Sequence, residues 1–230
     1  MTESVRQHTA MAAGTGTREA VADVTDVAEA LASEAFDRRI GPSSDFVGHA
    51  AAVADAAYAM AVRFAGGGKL IVFGVGGAST DAQHVAVEFV HPVIVGKRAL
   101  PAISLTSDVA TITALAAREG MAGIFAHQIR QLGEAGDIAL GISADGNCPS
   151  VLTGLRAARD IGMLTIALAG DADGSGGPLA ASQVVDHLLT VASADPRIVK
   201  EIQVTTYHVL WELVHVFFEQ PGILVPGVFA

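Results

Sequence analysis

Apolar residues first recur along the chain at helical spacing. Val21, Val24, Val27, Ala28 and Leu31 fall on one stripe, which predicts a helix over residues 19–38. Gly41-Pro42-Ser43-Ser44 predicts a break, with Ser44 or Asp45 capping a second helix that reaches residue 64. Gly66-Gly67-Gly68 ends that helix. The pattern then changes. Short apolar runs, many of them β-branched, at residues 70–73, 102–105, 138–142, 164–167 and 184–191 predict strands. Amphipathic patterns at 81–90, 110–116, 122–132 and 151–161 predict helices between them. Strands that are apolar throughout and separated by helices call for a parallel sheet covered on both faces. A final helix over 196–219 starts at Pro196 and stops at Gln220-Pro221-Gly222.

The expected fold class is therefore α/β: a three-layer α/β/α sandwich with a five-stranded parallel sheet, N-terminal helices and a long C-terminal helix. Residues 1–16 are small and polar and read as a disordered N-terminus. Residues 17–219 read as one domain with an N-terminal helical extension, and 220–230 as an apolar C-terminal tail. Half the chain is hydrophobic (51%) and only 17% is charged, enough to build a large core. A net charge of −10 argues against a nucleic-acid groove, which needs a basic face. No apolar run nears the ~18 residues of a membrane span, and the N-terminus has no secretory pattern. The single cysteine, Cys148, excludes an internal disulfide framework and fits a reducing cytoplasm.

Two segments carry candidate chemistry. Ligands of such sheets bind outside the carboxyl ends of the strands. Residues 74–80 and Ser143-Ala144-Asp145-Gly146-Asn147-Cys148 both lead from a strand end to a helix start, where free N–H groups and the helix dipole favour an anion. On the helix after the first loop, His84 and Glu88 lie four residues apart and so share a face. That pair suits proton transfer or metal binding.

Five blocks in order, GVGGASTDAQHVAVEF (74–89), LPAISLTSD (100–108), GDIALGISADGN (136–147), ARDIGMLTIALAG (158–170) and KEIQVTTYHVLWELV (200–214), resemble the sugar isomerase (SIS) family, and within it the phosphoheptose isomerases. The likeness covers residues 20–219 and implies the flavodoxin-like SIS fold. It also implies an aldose–ketose isomerase converting sedoheptulose 7-phosphate to a heptose phosphate, with Glu88 as base and His208 as its acid–base partner. Some family members bind zinc at the positions of His84, Glu88 and His208. The resemblance places substrate on Gly76, Gly77, Ala78, Ser143, Asp145, Gly146, Asn147 and Cys148. It implies a homo-oligomer, tetramer or dimer, with sites at subunit boundaries. The apolar stripes of the N-terminal helices and Trp211, Val214, Phe217 and Phe218 on the final helix agree with that. The family also holds modules that only bind sugar phosphates or protein partners, which is the alternative reading.

The chain departs from the family pattern at several positions. Lys200 stands where a glutamine ligand is usual, and a protonated lysine has no lone pair for zinc. Gln203, three residues on, is expected to point elsewhere. Hydroxyls are missing at Ala78, Ala144, Asp145 and Cys148, and Asp145 adds a negative charge. Each hydrogen bond to a charged group contributes about 1.5–3 kcal/mol, so losing two or three weakens phosphate binding roughly a thousandfold. Arg118 and Lys200 are expected to face the pocket as compensating cations. Together these changes point to a changed substrate or a changed way of holding its anion, including a sugar without a phosphate.

Overall fold

The structure is a computed structural model. It describes residues 3–220 and 222–224, with side chains at residue 21 and from residue 24 onward. The expectation of disorder over 1–16 falls on residues whose side chains lie outside that set, and residues 225–230 of the tail lie outside it altogether. The chain forms two compact units, Met1–Ser44 and Asp45–Ala230.

The first unit belongs to one helix, α1 (Glu3–Val47). The break expected at Gly41–Ser44 does not occur. Pro42 lies inside the helix, where it removes a single N–H donor near the C-terminal end. The chain turns instead at Gly48, with Gly48 N–H donating to the Asp45 carbonyl (3.0 Å). The expected Ser44 or Asp45 cap is therefore absent, and α2 (Ala50–Ala65) starts at His49 without a side-chain cap.

The second unit carries the sheet. In chain order its elements are β1 (Leu70–Gly74), α3 (Gly77–Val90), β2 (Ala102–Ser104), α4 (Val109–Glu119), a 3₁₀ turn (Met121–Gly123) and α5 (Ile124–Leu132). They continue as β3 (Ile138–Ser143), α6 (Pro149–Ile161), β4 (Leu164–Gly170), α7 (Gly177–Ala181), β5 (His187–Val191) and α8 (Pro196–Phe218). The five strands are parallel in the order β2-β1-β3-β4-β5.

Alternation along each strand divides the core in two. Leu70 and Val72 point to one face and pack with Met60 of α2, Val85 and Phe89 of α3, and Leu210 of α8. Ile71 and Phe73 point to the other face and pack with Leu115 of α4, Phe125 of α5 and Leu155 of α6. The helices that follow β1 and β3 therefore cover opposite faces. The loops leaving these adjacent strands diverge and open a crevice at the point where strand order reverses.

Three differences from the sequence reading have local causes. The last strand is shorter than 184–191, because Gln183 turns the chain with φ +54° and Asp186 accepts from Thr165 N–H (2.9 Å) before the strand begins. Helix α7, absent from the sequence reading, follows a glycine-rich segment. The apolar surface of α8 is largely used within the chain: Trp211 and Val214 are buried in the core, and Phe217 and Phe218 pack against it. Among the described residues, no helix is long and apolar enough to cross a membrane.

Candidate active site

The first loop is built by close approach. An added Cβ on Gly74 would lie 2.8 Å from Ala78 Cβ and 2.9 Å from the carbonyls of Ala78 and Ile142, so glycine is required where β1, α3 and β3 converge. Gly76 adopts φ +63°, ψ −126°, a region that side-chain-bearing residues avoid. Gly77 has ordinary φ and open space around it. The hydroxyls of Ser79 and Thr80 fold back onto the Gly76 and Gly77 carbonyls (both 2.7 Å). Ala78, buried, has no hydroxyl to offer.

In the second loop, Gly146 is buried with φ +72°. The Asp145 carboxylate takes up the loop's own donors. It accepts from Asn147 N–H (2.9 Å) and Ser143 Oγ–H (3.3 Å), while Asn147 Nδ2 donates to the Asp145 carbonyl (2.9 Å). Cys148 is the half-buried N-cap of α6, and Pro149 after it removes one more N–H.

Helix α8, capped by Asp195 through Arg197 N–H (2.9 Å), lies against α3. Lys200, Gln203, Tyr207 and Trp211 recur on one of its faces. The Lys200 ammonium donates to both oxygens of the buried Asp81 (2.6 Å each) and to the Gly77 carbonyl (3.1 Å). Gln203 does not point elsewhere. It is buried, donates to the Ser143 carbonyl (2.9 Å), and lines with Lys200 a cleft of ≈ 300 Å³ that also touches Gly77, Ala78, Asp81 and Ala144. A step of three residues keeps a helical side chain on the same face. The cleft thus joins both glycine loops to α8.

One turn further along α3 stands a second cluster, of two histidines and a carboxylate. His84, Glu88 and His208 offer ligand atoms that all lie within 4.8 Å of one another. His84 Nε2 is 3.2 Å from Glu88 Oε1, and the His84 and His208 rings meet edge to face at 5.1 Å. The Tyr207 hydroxyl lies 2.8 Å from His84 Nδ1, and Trp211 Nε1–H donates to the Glu88 carbonyl (2.9 Å). Burial, aided by the charges of Asp81 and Glu88, pushes the Tyr207 phenol well above its ordinary pKa, so it stays protonated.

Two histidines and a carboxylate are the donor set of three-ligand catalytic zinc sites, and these residues fit such an ion. A fourth ligand at Lys200 does not fit, because its ammonium has no lone pair and is held by Asp81.

Arg118 is not brought to this cleft. It sits exposed at the end of α4, bound to Glu119 (2.6 Å). The expected pair of compensating cations thus reduces to Lys200, whose charge Asp81 already balances. Sequence reading missed Asp81 and Tyr207. Helical spacing signals both: Asp81 is one turn before His84, and Tyr207 is two turns after Lys200.

Comparison with known proteins agrees with this geometry. A family model described as the SIS domain matches residues 45–170. The chain is 39% identical over 186 residues to the phosphoheptose isomerase of Desulfovibrio desulfuricans, covering 80% of this chain and 86% of the relative. It is 42% identical over 175 residues to that of Solidesulfovibrio magneticus (76% and 83% covered). A solved phosphoheptose isomerase from Francisella tularensis superposes with a TM-score of 0.74 at 33% identity, over 80% of this chain and 96% of that one. With its SIS core, its order of strands and its glycine loop leading to His84 and Glu88, the chain belongs to the SIS-domain family and, within it, to the phosphoheptose isomerases.

Proposed function

We propose that this protein is an aldose–ketose isomerase acting on a sugar phosphate of the sedoheptulose 7-phosphate class. The observation that carries the reading is the convergence of Glu88, His84 and His208 from two helices on one face of the sheet. Glu88 takes the proton from the carbon beside the carbonyl. The carbonyl oxygen takes a proton from His208, giving an enediol. His208 then removes the proton of the neighbouring hydroxyl, and Glu88 returns its proton to the former carbonyl carbon. Groups already at hydrogen-bond distance suit such transfers. His84, Glu88 and His208 would hold a zinc ion, which when bound supplies Lewis acidity toward the carbonyl oxygen. Incubation with sedoheptulose 7-phosphate, followed by NMR of the sugar, tests the reading; absence of any interconversion counts against it.

The anion is gathered differently from the family pattern. Asp145 occupies donors of the second loop, so Asp145→Ser frees them and removes a negative charge. Binding of inorganic phosphate, read by thermal shift, is expected to tighten by about tenfold, the equivalent of one recovered hydrogen bond to a charged group. Unchanged or weaker binding would show that the substrate anion does not meet this loop.

The protein is further proposed to work as a homo-oligomer in a reducing, cytoplasmic setting, the latter supported by its single cysteine. Support for assembly comes from Val87 and Val90 on α3 and Val93 and Val95 beyond it, all exposed on the second unit. In the first unit, Val24, Val27 and Leu31 are exposed, and among the described residues α1 is that unit's one element. Light scattering at micromolar concentration is expected to report more than one copy; a monomer would refute this.

A further inference from the structure

We propose that Tyr207 is a positioning residue of this site, whose hydroxyl holds the His84 ring in the one orientation that turns Nε2, rather than a ring carbon, toward the Glu88 carboxylate. The proposal rests on the reading of Glu88 as the base.

Tyr207 is 1% exposed, so its hydroxyl has little access to water, and His84 Nδ1 lies 2.8 Å from it. A neutral imidazole has one donor nitrogen and one acceptor nitrogen. In the neutral, metal-free ring the Glu88 carboxylate, 3.2 Å from Nε2, can only accept, which puts the proton on Nε2 and makes Nδ1 the acceptor of the phenol's hydrogen; with a metal held at Nε2 the proton would sit on Nδ1 and the phenol oxygen would accept it, the ring keeping the same orientation. Flipping the ring would set carbon atoms against both partners and strand a buried hydroxyl. The His84 side chain is 43% exposed; the edge-to-face rings of Tyr207 and His208 bound where it lies, and the bond from the phenol to Nδ1 selects which edge faces Glu88.

Trp211, one turn after Tyr207 on α8, donates to the Glu88 backbone carbonyl. Helix α8 therefore holds the base twice: Trp211 holds its backbone, and Tyr207, through His84, holds its carboxylate. Control of a reacting group by an outer hydrogen-bond partner is a recurrent device.

Tyr207→Phe removes the hydroxyl and keeps the ring. The result expected is a fall in kcat of about 10–100-fold, with KM and melting temperature close to wild type. In the presence of a metal chelator, 15N NMR of the His84 ring is expected to show one tautomer in the wild type and a mixture in Tyr207→Phe. The same substitution in a His84→Asn background is expected to add no further loss. An unchanged kcat, or a single tautomer retained in Tyr207→Phe, overturns the proposal. So does a parallel fall in kcat and melting temperature with the tautomer unmoved, which marks a structural role. A wild-type protein that turns over no sugar phosphate overturns the isomerase reading alone, and the tautomer measurement then decides the role of Tyr207.

Discussion

Glu88→Gln is expected to reduce isomerisation by about 10²–10⁴-fold, the usual contribution of a positioned general base, while leaving the fold intact. The amide keeps the size of the carboxylate, and its oxygen still accepts from His84 Nε2–H. The bond from Trp211 goes to the backbone carbonyl and is unaffected. Substrate affinity should change little, because the amide is isosteric and the cleft between the two loops is lined by other residues. The expected pattern is low kcat with near-normal KM and melting temperature, together with loss of solvent deuterium exchange at the carbon next to the carbonyl. Exchange at the wild-type rate would place the base elsewhere, and His208 would be the next residue to test.

Gly74→Val is expected to have the largest effect on stability. Even a methyl group at this position meets Ala78 Cβ at 2.8 Å and two backbone carbonyls at 2.9 Å, and valine adds two more carbons. The neighbours are backbone and a helical Cβ, so relief requires moving the start of α3 away from β1 and β3. Overpacking typically costs about 1–3 kcal/mol, and this position belongs at the upper end or beyond it. The urea midpoint should fall accordingly, and activity should fall further, since α3 also carries His84 and Glu88. Gly77→Ala is the matched control: its φ is ordinary and no atom lies within 4 Å of the added carbon, so the change should stay within about 0.5 kcal/mol. Equal loss from both variants would contradict the close-approach account of Gly74.

Much of this fold is legible in the sequence, because its signals are local. Leu70–Phe73 reads as a strand since every position is apolar, and the same residues divide between two cores by simple alternation. The reading fails where the outcome depends on distant partners or on how a loop closes. Pro42 looks like a stop, yet near the end of a long helix it costs a single hydrogen bond. Lys200 reads as a free cation until Asp81, far away in sequence, is set against it. Arg118 reads as a compensating charge but is bound to its neighbour Glu119. Asp145 reads as an intruding charge, and only the loop's geometry shows that it receives the donors of Ser143 and Asn147. The pairing of His84 with Glu88 was legible from their spacing, and the resemblance added His208, which the fold does bring beside them. Tyr207 was not legible, because a buried tyrosine within an amphipathic helix looks like ordinary core.

The two kinds of work in this site are carried by different parts of the chain. The proposed proton-transfer groups ride on α3 and α8, helices that cover one face of the sheet, whereas the groups proposed to meet an anion sit in loops at the strand ends. The exposed side chains at residues 144, 145 and 147 can therefore be exchanged without disturbing the distances among Glu88, His84 and His208, whereas Ser143, whose carbonyl accepts from Gln203 of α8, and the buried Gly146 are held in place. Varying those three positions should re-target the protein among sugars of different charge while the reaction stays the same.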